Sequence, residues 1–223
     1  MANITLDIKS ELPKAIRWTD QMTKQLPFAV SRALNSVGFD ARTALKGASR
    51  QYLDRPTPFV QNAWRVQKSN KRNLVVTVYP DAKRKPYVEK NITGGQRGIK
   101  PFEAKLVSLG LPNMPRNSRL RPVADNVRLN SYGNVTKAAL TKIGSSVQTK
   151  GRNSVFIGKP TGTRTAGVYQ RRAGGRLVAL FIAQPSATYR PIFPIDQIGT
   201  KVARRRFGTY LRAALEQAVA TAR

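Results

Sequence analysis

The sequence predicts an α+β fold: a long N-terminal helix and a C-terminal helix packed on a small, mainly antiparallel sheet, with a long irregular loop or arm. Three observations predict it. Apolar residues recur at steps of three and four from Leu26 to Tyr52 and again from Ile198 to Ala218, the spacing that lines one helix face. Short runs rich in β-branched and aromatic residues lie between turn signals at 73–80 and 154–183. Hydrophobic residues make up 40% of 223, enough for a real core and far more than a disordered basic chain carries. One α+β domain is expected over 1–223, with the extended loop or arm at about 110–134.

The elements follow in order. Ser10 to Leu53 reads as helical, with a short stripe of Leu12, Ala15, Ile16 and Thr19 ahead of the stronger one through Val30, Leu34, Val37, Ala41 and Leu45. Pro27 suits a first turn, where its missing N–H costs nothing. Arg32, Arg42, Lys46 and Arg50 take polar positions on that helix. Thr57-Pro58 signals an N-cap and first turn for a short helix, Phe59 to Val66, with Phe59, Val60, Ala63 and Trp64 turned inward. Asn73 to Pro80 is the first strand. A basic linker, Lys83-Arg84-Lys85-Pro86, precedes a short element of open type at Tyr87–Ile92. Thr93 to Gly98 lacks the Gly-Lys-Ser/Thr ending of a nucleotide loop and reads as a flexible turn.

Pro101–Leu109 reads as a helix, Gly110–Asn134 as an irregular loop rich in Pro, Asn and Arg, and Val135–Ser146 as another helix. Ser154–Gly158 and Gly167–Arg171 pair as strands. A tight basic turn, Arg171 to Arg176, then leads into the apolar strand Leu177–Ala183. The last helix carries Arg204-Arg205-Arg206 in its first half, where the helix dipole favours acids.

Charge dominates the composition. Forty Lys and Arg stand against eleven Asp and Glu, a formal net charge of +29 with no His and no Cys. No acid lies between Asp125 and Asp196, while eleven bases do. Solubility needs only a fraction of this charge, so the span reads as a contact surface. Its candidate subunit- or DNA-contact residues are Arg152, Lys159, Arg164, Arg171, Arg172 and Arg176, joined by Arg204, Arg205 and Arg206.

The same composition narrows the chemistry. Without Cys there are no disulfides or thiolate zinc sites, and without His the commonest general base and metal ligand are gone. The carboxylates are scattered singly, so no acid/base couple or two-metal site is in view; what little there is for an enzyme rests on Glu103 and Asp125. No catalytic, cofactor or metal site is expected. No run reaches the roughly 18 apolar residues of a bilayer span, and the first residues lack a signal-peptide pattern, so neither a membrane partner nor secretion is expected. Nucleic acid and acidic protein subunits remain as anionic partners; arginine serves both, and no helix-turn-helix, zinc-finger or ribonucleoprotein signature selects the first.

The order of elements carries a resemblance. It joins Leu26-Pro27-Phe28-Ala29-Val30-Ser31-Arg32-Ala33-Leu34-Asn35, a glycine-basic middle, a basic hairpin, and Tyr189-Arg190-Pro191-Ile192-Phe193-Pro194-Ile195-Asp196 leading into the terminal helix. With Leu129–Val135 and Val155–Pro160, this resembles the minor tail protein Z family of tailed bacteriophages, the tail-completion proteins, and more loosely other neck and head–tail joining proteins. The longer proline-rich middle, Gly110 to Asn126, departs from that pattern. The resemblance implies a non-enzymatic virion protein of the tail or neck, assembled in the host cytoplasm. It would form a homo-oligomeric ring around the DNA channel and meet other tail, adaptor or portal subunits, with genomic double-stranded DNA nearby. The residues by themselves leave an alternative, a nucleic-acid-binding protein without sequence specificity.

Overall fold

The structure, a computed structural model, describes residues 4–7, 20–109, 118–147, 154–163, 165–184 and 186–221. It is α+β, with long helices near both ends of the chain and antiparallel sheets. The single domain expected over 1–223 is organised as two compact units. One comprises Met1–Gly94 with Arg190–Arg223, and the other, Gly95–Tyr189, is inserted between them in the chain. The division falls at 94/95 and 189/190.

The first unit is built on α1 (Asp20–Tyr52) and α6 (Ile195–Thr221), which make its most extensive contact. Val30, Leu34, Val37, Ala41 and Leu45 of the predicted stripe are all 1% exposed or less. Pro27 corrects one expectation. The helix starts at Asp20, so the proline sits inside it and removes a backbone hydrogen bond instead of occupying a free first turn. The short stripe from Leu12 to Thr19 lies outside the described residues.

Beside α1 lies a three-stranded antiparallel sheet in the order β1 (Ile4–Asp7), β3 (Val75–Pro80), β2 (Trp64–Gln67). Here the helix expected over Phe59–Val66 is overturned. Thr57 caps a helix as read, its hydroxyl accepting from the Val60 N–H at 3.3 Å, but α2 is only Pro58–Gln61. Trp64–Gln67 then pairs with β3, Val66 opposite Val78, because a ladder with a buried neighbour outweighs a short local helical pattern. Ala63 and Trp64 are buried as expected, whereas Phe59 is 45% exposed. The open element becomes α3 (Lys85–Thr93), which begins inside the supposed linker with Pro86 in its first turn.

Two close approaches knit this core. Gly38 lets α1 lie directly on the sheet, since a Cβ there would stand 2.5 Å from Val76 Cγ2 and 3.1 Å from Val66 Cγ1. Trp64 packs edge-on to Phe193 at 5.6 Å, and its indole N–H donates to Ser49 Oγ at 3.2 Å. Tyr210 of α6 donates its hydroxyl to Asp40 of α1 at 2.7 Å.

The second unit is a four-stranded antiparallel sheet in the order β5 (Arg119–Pro122), β8 (Leu177–Gln184), β7 (Gly167–Arg171), β6 (Val155–Gly158). A two-stranded ribbon, β4 (Gly95–Gln96) with β9 (Thr188–Tyr189), is its second sheet. Among the described residues the unit has two α-helices: α4 (Pro101–Leu109) matches its predicted bounds, and α5 (Lys137–Ser146) is capped by Thr136, whose hydroxyl accepts from the Ala139 N–H at 3.2 Å. Leu106, Leu120, Val155, Val168 and Phe181 form the core. The irregular stretch expected over 110–134 is corrected in part. Within it, β5 is a paired edge strand with Leu120 buried, and Leu129 bridges Val135 around Gly133 at φ 73°. Residues 110–117 lie outside the described residues.

Candidate functional site

The predicted basic residues divide between the two units. Lys159, Arg171, Arg172 and Arg176 belong to the second, and Arg204, Arg205 and Arg206 to the first. Arg152 and Arg164 lie outside the described residues.

In the second unit the β7–β8 connection carries Arg171, Arg172 and Arg176, all exposed. Its geometry explains how three cations share one tip. Arg172 N–H donates to Arg176 C=O at 2.8 Å, and between them Gly174 and Gly175 take φ of 70° and 74°, a backbone that glycine adopts without strain. The Arg171 guanidinium lies 5.0 Å above the Phe156 ring, which stacks on Tyr169 at 5.7 Å. Phe156 and Tyr169 thus act as packing beneath a cation. Exposed Lys159 sits just past the other end of the β6–β7 ladder. Gly167 and Arg171, at opposite ends of β7, are about 13 Å apart at the usual strand rise. Lys159 and the three arginines therefore occupy opposite ends of the sheet.

In the first unit, Arg204 and Arg205 line an open groove of about 500 Å³ on α6 with Asp196, Gln197, Thr200 and Lys201. Arg206 turns aside, its Nε 3.9 Å from Asp40 Oδ2. The conflict with the helix dipole disappears: α6 begins at Ile195 with Asp196 in its first turn, and the arginines lie beyond that turn's reach.

The acids account for the remaining electrostatics. The second unit holds sixteen Lys and Arg against Glu103 and Asp125 alone. Glu103 is completely buried and fully engaged. Arg97 donates Nη1–H to Oε2 at 2.7 Å and Nη2–H to Oε1 at 2.6 Å, while the backbone N–H groups of Lys100 and Leu120 donate at 2.7 and 3.0 Å. Burial opposes its ionisation, but the Arg97 fork and the two backbone donors outweigh burial and hold its carboxyl below the usual carboxylate range. A carboxylate with all its partners in place ties α4 to β5 and has no free face for a substrate. Asp125 is exposed. Among the described residues no ion pair draws on a base between 126 and 195, and no cluster of three or more His, Cys, Asp or Glu could hold a metal. No described helix is long and apolar enough to cross a membrane.

One cationic feature escaped the sequence reading. A groove of about 300 Å³ in the first unit is lined by Arg42, Thr43 and Lys46 of α1 and by Gln61, Asn62, Trp64 and Arg65 from the α2–β2 corner. The signal available was the four-residue spacing of Arg42, Lys46 and Arg50. Arg65 was hidden by its assignment to a helix instead of β2.

No protein-family model, curated protein or solved structure matches the chain.

Proposed function

We propose that the chain is a structural virion protein of a tailed bacteriophage, a tail-completion or neck subunit that assembles as a ring around the DNA channel. The observation that carries this reading is the charge of the second unit. Sixteen bases face two acids there, and one of those acids is buried against Arg97. The unit does not neutralise itself, and in this reading neighbouring subunits or DNA supply the counter-charge. The order of elements that resembles the tail-completion family supports the same reading, with portal, adaptor or tail subunits as the partners and the host cytoplasm as the place of assembly. Mass spectrometry and electron microscopy of purified virions test it. The expected result is the chain in the particle, at a copy number that fits a ring at the neck or tail end. Its absence from particles would overturn the proposal.

The second reading, a free nucleic-acid-binding protein, is favoured by the three exposed guanidiniums of the β7–β8 tip. It predicts tight duplex binding by the isolated chain with a steep salt dependence, flattened when Arg171, Arg172 and Arg176 are replaced by Ala. If those replacements block particle assembly while duplex affinity stays put, the tip serves protein neighbours.

A further inference from the structure

We propose that the groove between α1 and the α2–β2 corner is a phosphate-binding track that takes the sugar-phosphate backbone of nucleic acid. The inference goes beyond the virion reading and stands or falls separately from it, because it concerns what the free chain binds through its first unit.

The cations form a row. Arg42, Lys46 and Arg50 are exposed and succeed one another at one-turn intervals on α1, about 6 Å apart along the axis. The row extends past the groove, where the Arg42 guanidinium and the Lys68 ammonium lie 5.3 and 5.5 Å from the ring centroid of half-exposed Phe39. From the facing wall comes Arg65. Its Nη1 donates to the carbonyls of Asn62 and Trp64 at 3.3 and 3.2 Å, and its Nη2 lies 3.1 Å from Asp81 Oδ2. That guanidinium is held in place before any ligand arrives, which lowers the entropy lost on binding.

Charge balance leaves the row unneutralised. No carboxylate lines the groove, and Asp81, the acid beside Arg65, is shared with Arg84. Among the described residues, Arg42, Lys46 and Arg50 take part in no ion pair. Neutral donors complete the lining. Gln61 and Asn62 each commit one amide N–H, to the carbonyls of Pro56 and Pro58 at 2.8 Å, and each keeps a second. Arg and Lys supplemented by Gln and Asn is the donor set that contacts phosphate oxygens on nucleic acid. A single carboxylate is satisfied by one guanidinium fork, whereas evenly spaced cations along a helix suit a polyanion with a charge on every unit.

The test uses the full chain, a fluorescein-labelled 24-base-pair duplex of mixed sequence, and anisotropy titrations over a salt series. Arg42→Gln with Lys46→Gln is the diagnostic variant: both residues are exposed and outside the described ion pairs, glutamine suits a helix, and an unchanged melting curve confirms folding. Loss of two phosphate contacts reduces the slope of log K against log salt by about 1.8. Arg42→Lys with Lys46→Arg keeps the charges and retains the wild-type slope. Lys137→Gln with Lys142→Gln, on exposed positions of α5, removes the same net charge and leaves the slope within about 0.5 of wild type. An unchanged slope in the groove variant, or an equal drop in the α5 variant, overturns the proposal. So does a groove variant that loses binding to poly-L-glutamate while its duplex slope stays at the wild-type value, for the track would then serve acidic protein.

Discussion

Replacing Glu103 by Gln isolates one charge in an otherwise unchanged shape. The side chain is fully buried, so the amide leaves no cavity, and the effect is electrostatic. Arg97, only 18% exposed, would lose its counter-ion. The Lys100 and Leu120 N–H groups would face an amide with one accepting oxygen where two now serve. Breaking a buried pair by removing one partner costs about 3–5 kcal/mol, and the residual exposure of Arg97 places this case at the lower end, about 3 kcal/mol. The long helices α1 and α6 of the first unit dominate far-UV circular dichroism, so opening of the second unit is followed by hydrogen exchange at the Leu120 amide, which donates to Glu103, in a urea series. The pH dependence has a definite sign. Glu103 has its carboxyl pKa lowered in the fold, so its contribution is present above the unfolded value near 4.3 and is lost as pH falls through the lowered folded value. The difference between wild type and E103Q is therefore constant above about pH 5 and shrinks below about pH 4. A loss under about 1 kcal/mol at pH 7, or a difference that grows on acidification, refutes the account of Glu103 as the tie between α4 and β5.

Three further substitutions test the packing. Gly38→Ala puts a Cβ 2.5 Å from Val76 Cγ2; overpacking of about 1–3 kcal/mol exceeds the roughly 1 kcal/mol gain in helix propensity, so the Trp64 fluorescence midpoint in urea falls and Gly38→Val lowers it further. Ser49→Ala strips the buried Trp64 indole N–H of its acceptor and costs about 1–3 kcal/mol by the same fluorescence assay; a change within about 0.5 kcal/mol contradicts the assignment. Gly167→Ala meets the Phe181 carbonyl oxygen at 2.2 Å, a backbone atom that cannot rotate away, so the β7–β8 ladder opens and hydrogen-exchange protection of the Ala183 amide falls by the equivalent of about 2 kcal/mol or more.

Elements governed by local rules were the legible ones. The stripe from Val30 to Leu45, the Thr57 cap, the strand at Val75–Pro80 and the two hairpins each carry their signal within a few neighbouring residues. The misreadings have a common cause in distant partners. Trp64–Gln67 looks helical until β3 pairs with it, and Arg119–Pro122 looks like loop until β8 does. Glu103 appeared as one scattered acid because its partners, Arg97 six residues before it and the Leu120 N–H seventeen after, share no period with it. The cationic row on α1 was visible, but the wall facing it depends on Arg65 lying in a strand. For the basic span, sequence correctly located charge and could not show that Lys159 and Arg171 stand at opposite ends of one sheet.

The placement of the acids argues about purpose more strongly than the net charge does. In the first unit Asp40, Asp54, Asp81 and Glu89 each lie beside a base, so its acids offset part of its own charge. In the second, Glu103 serves the interior with Arg97, and only Asp125 is left to face the other fifteen bases. A protein kept soluble by charge needs a net magnitude of roughly 2–8 with the two signs interspersed, and self-repulsion beyond that works against the compact state. An acid on any exposed position of the β7–β8 tip would relieve that repulsion at no cost to the core, since Arg171, Arg172 and Arg176 are all at the surface. The tip carries no acid at 171–176, and the proposed virion reading assigns the compensating charge to an outside anion. A ring of subunits around DNA meets that requirement with protein carboxylates on its flanks and phosphates in its channel, and this is why the virion reading and a phosphate track on α1 are compatible without depending on each other.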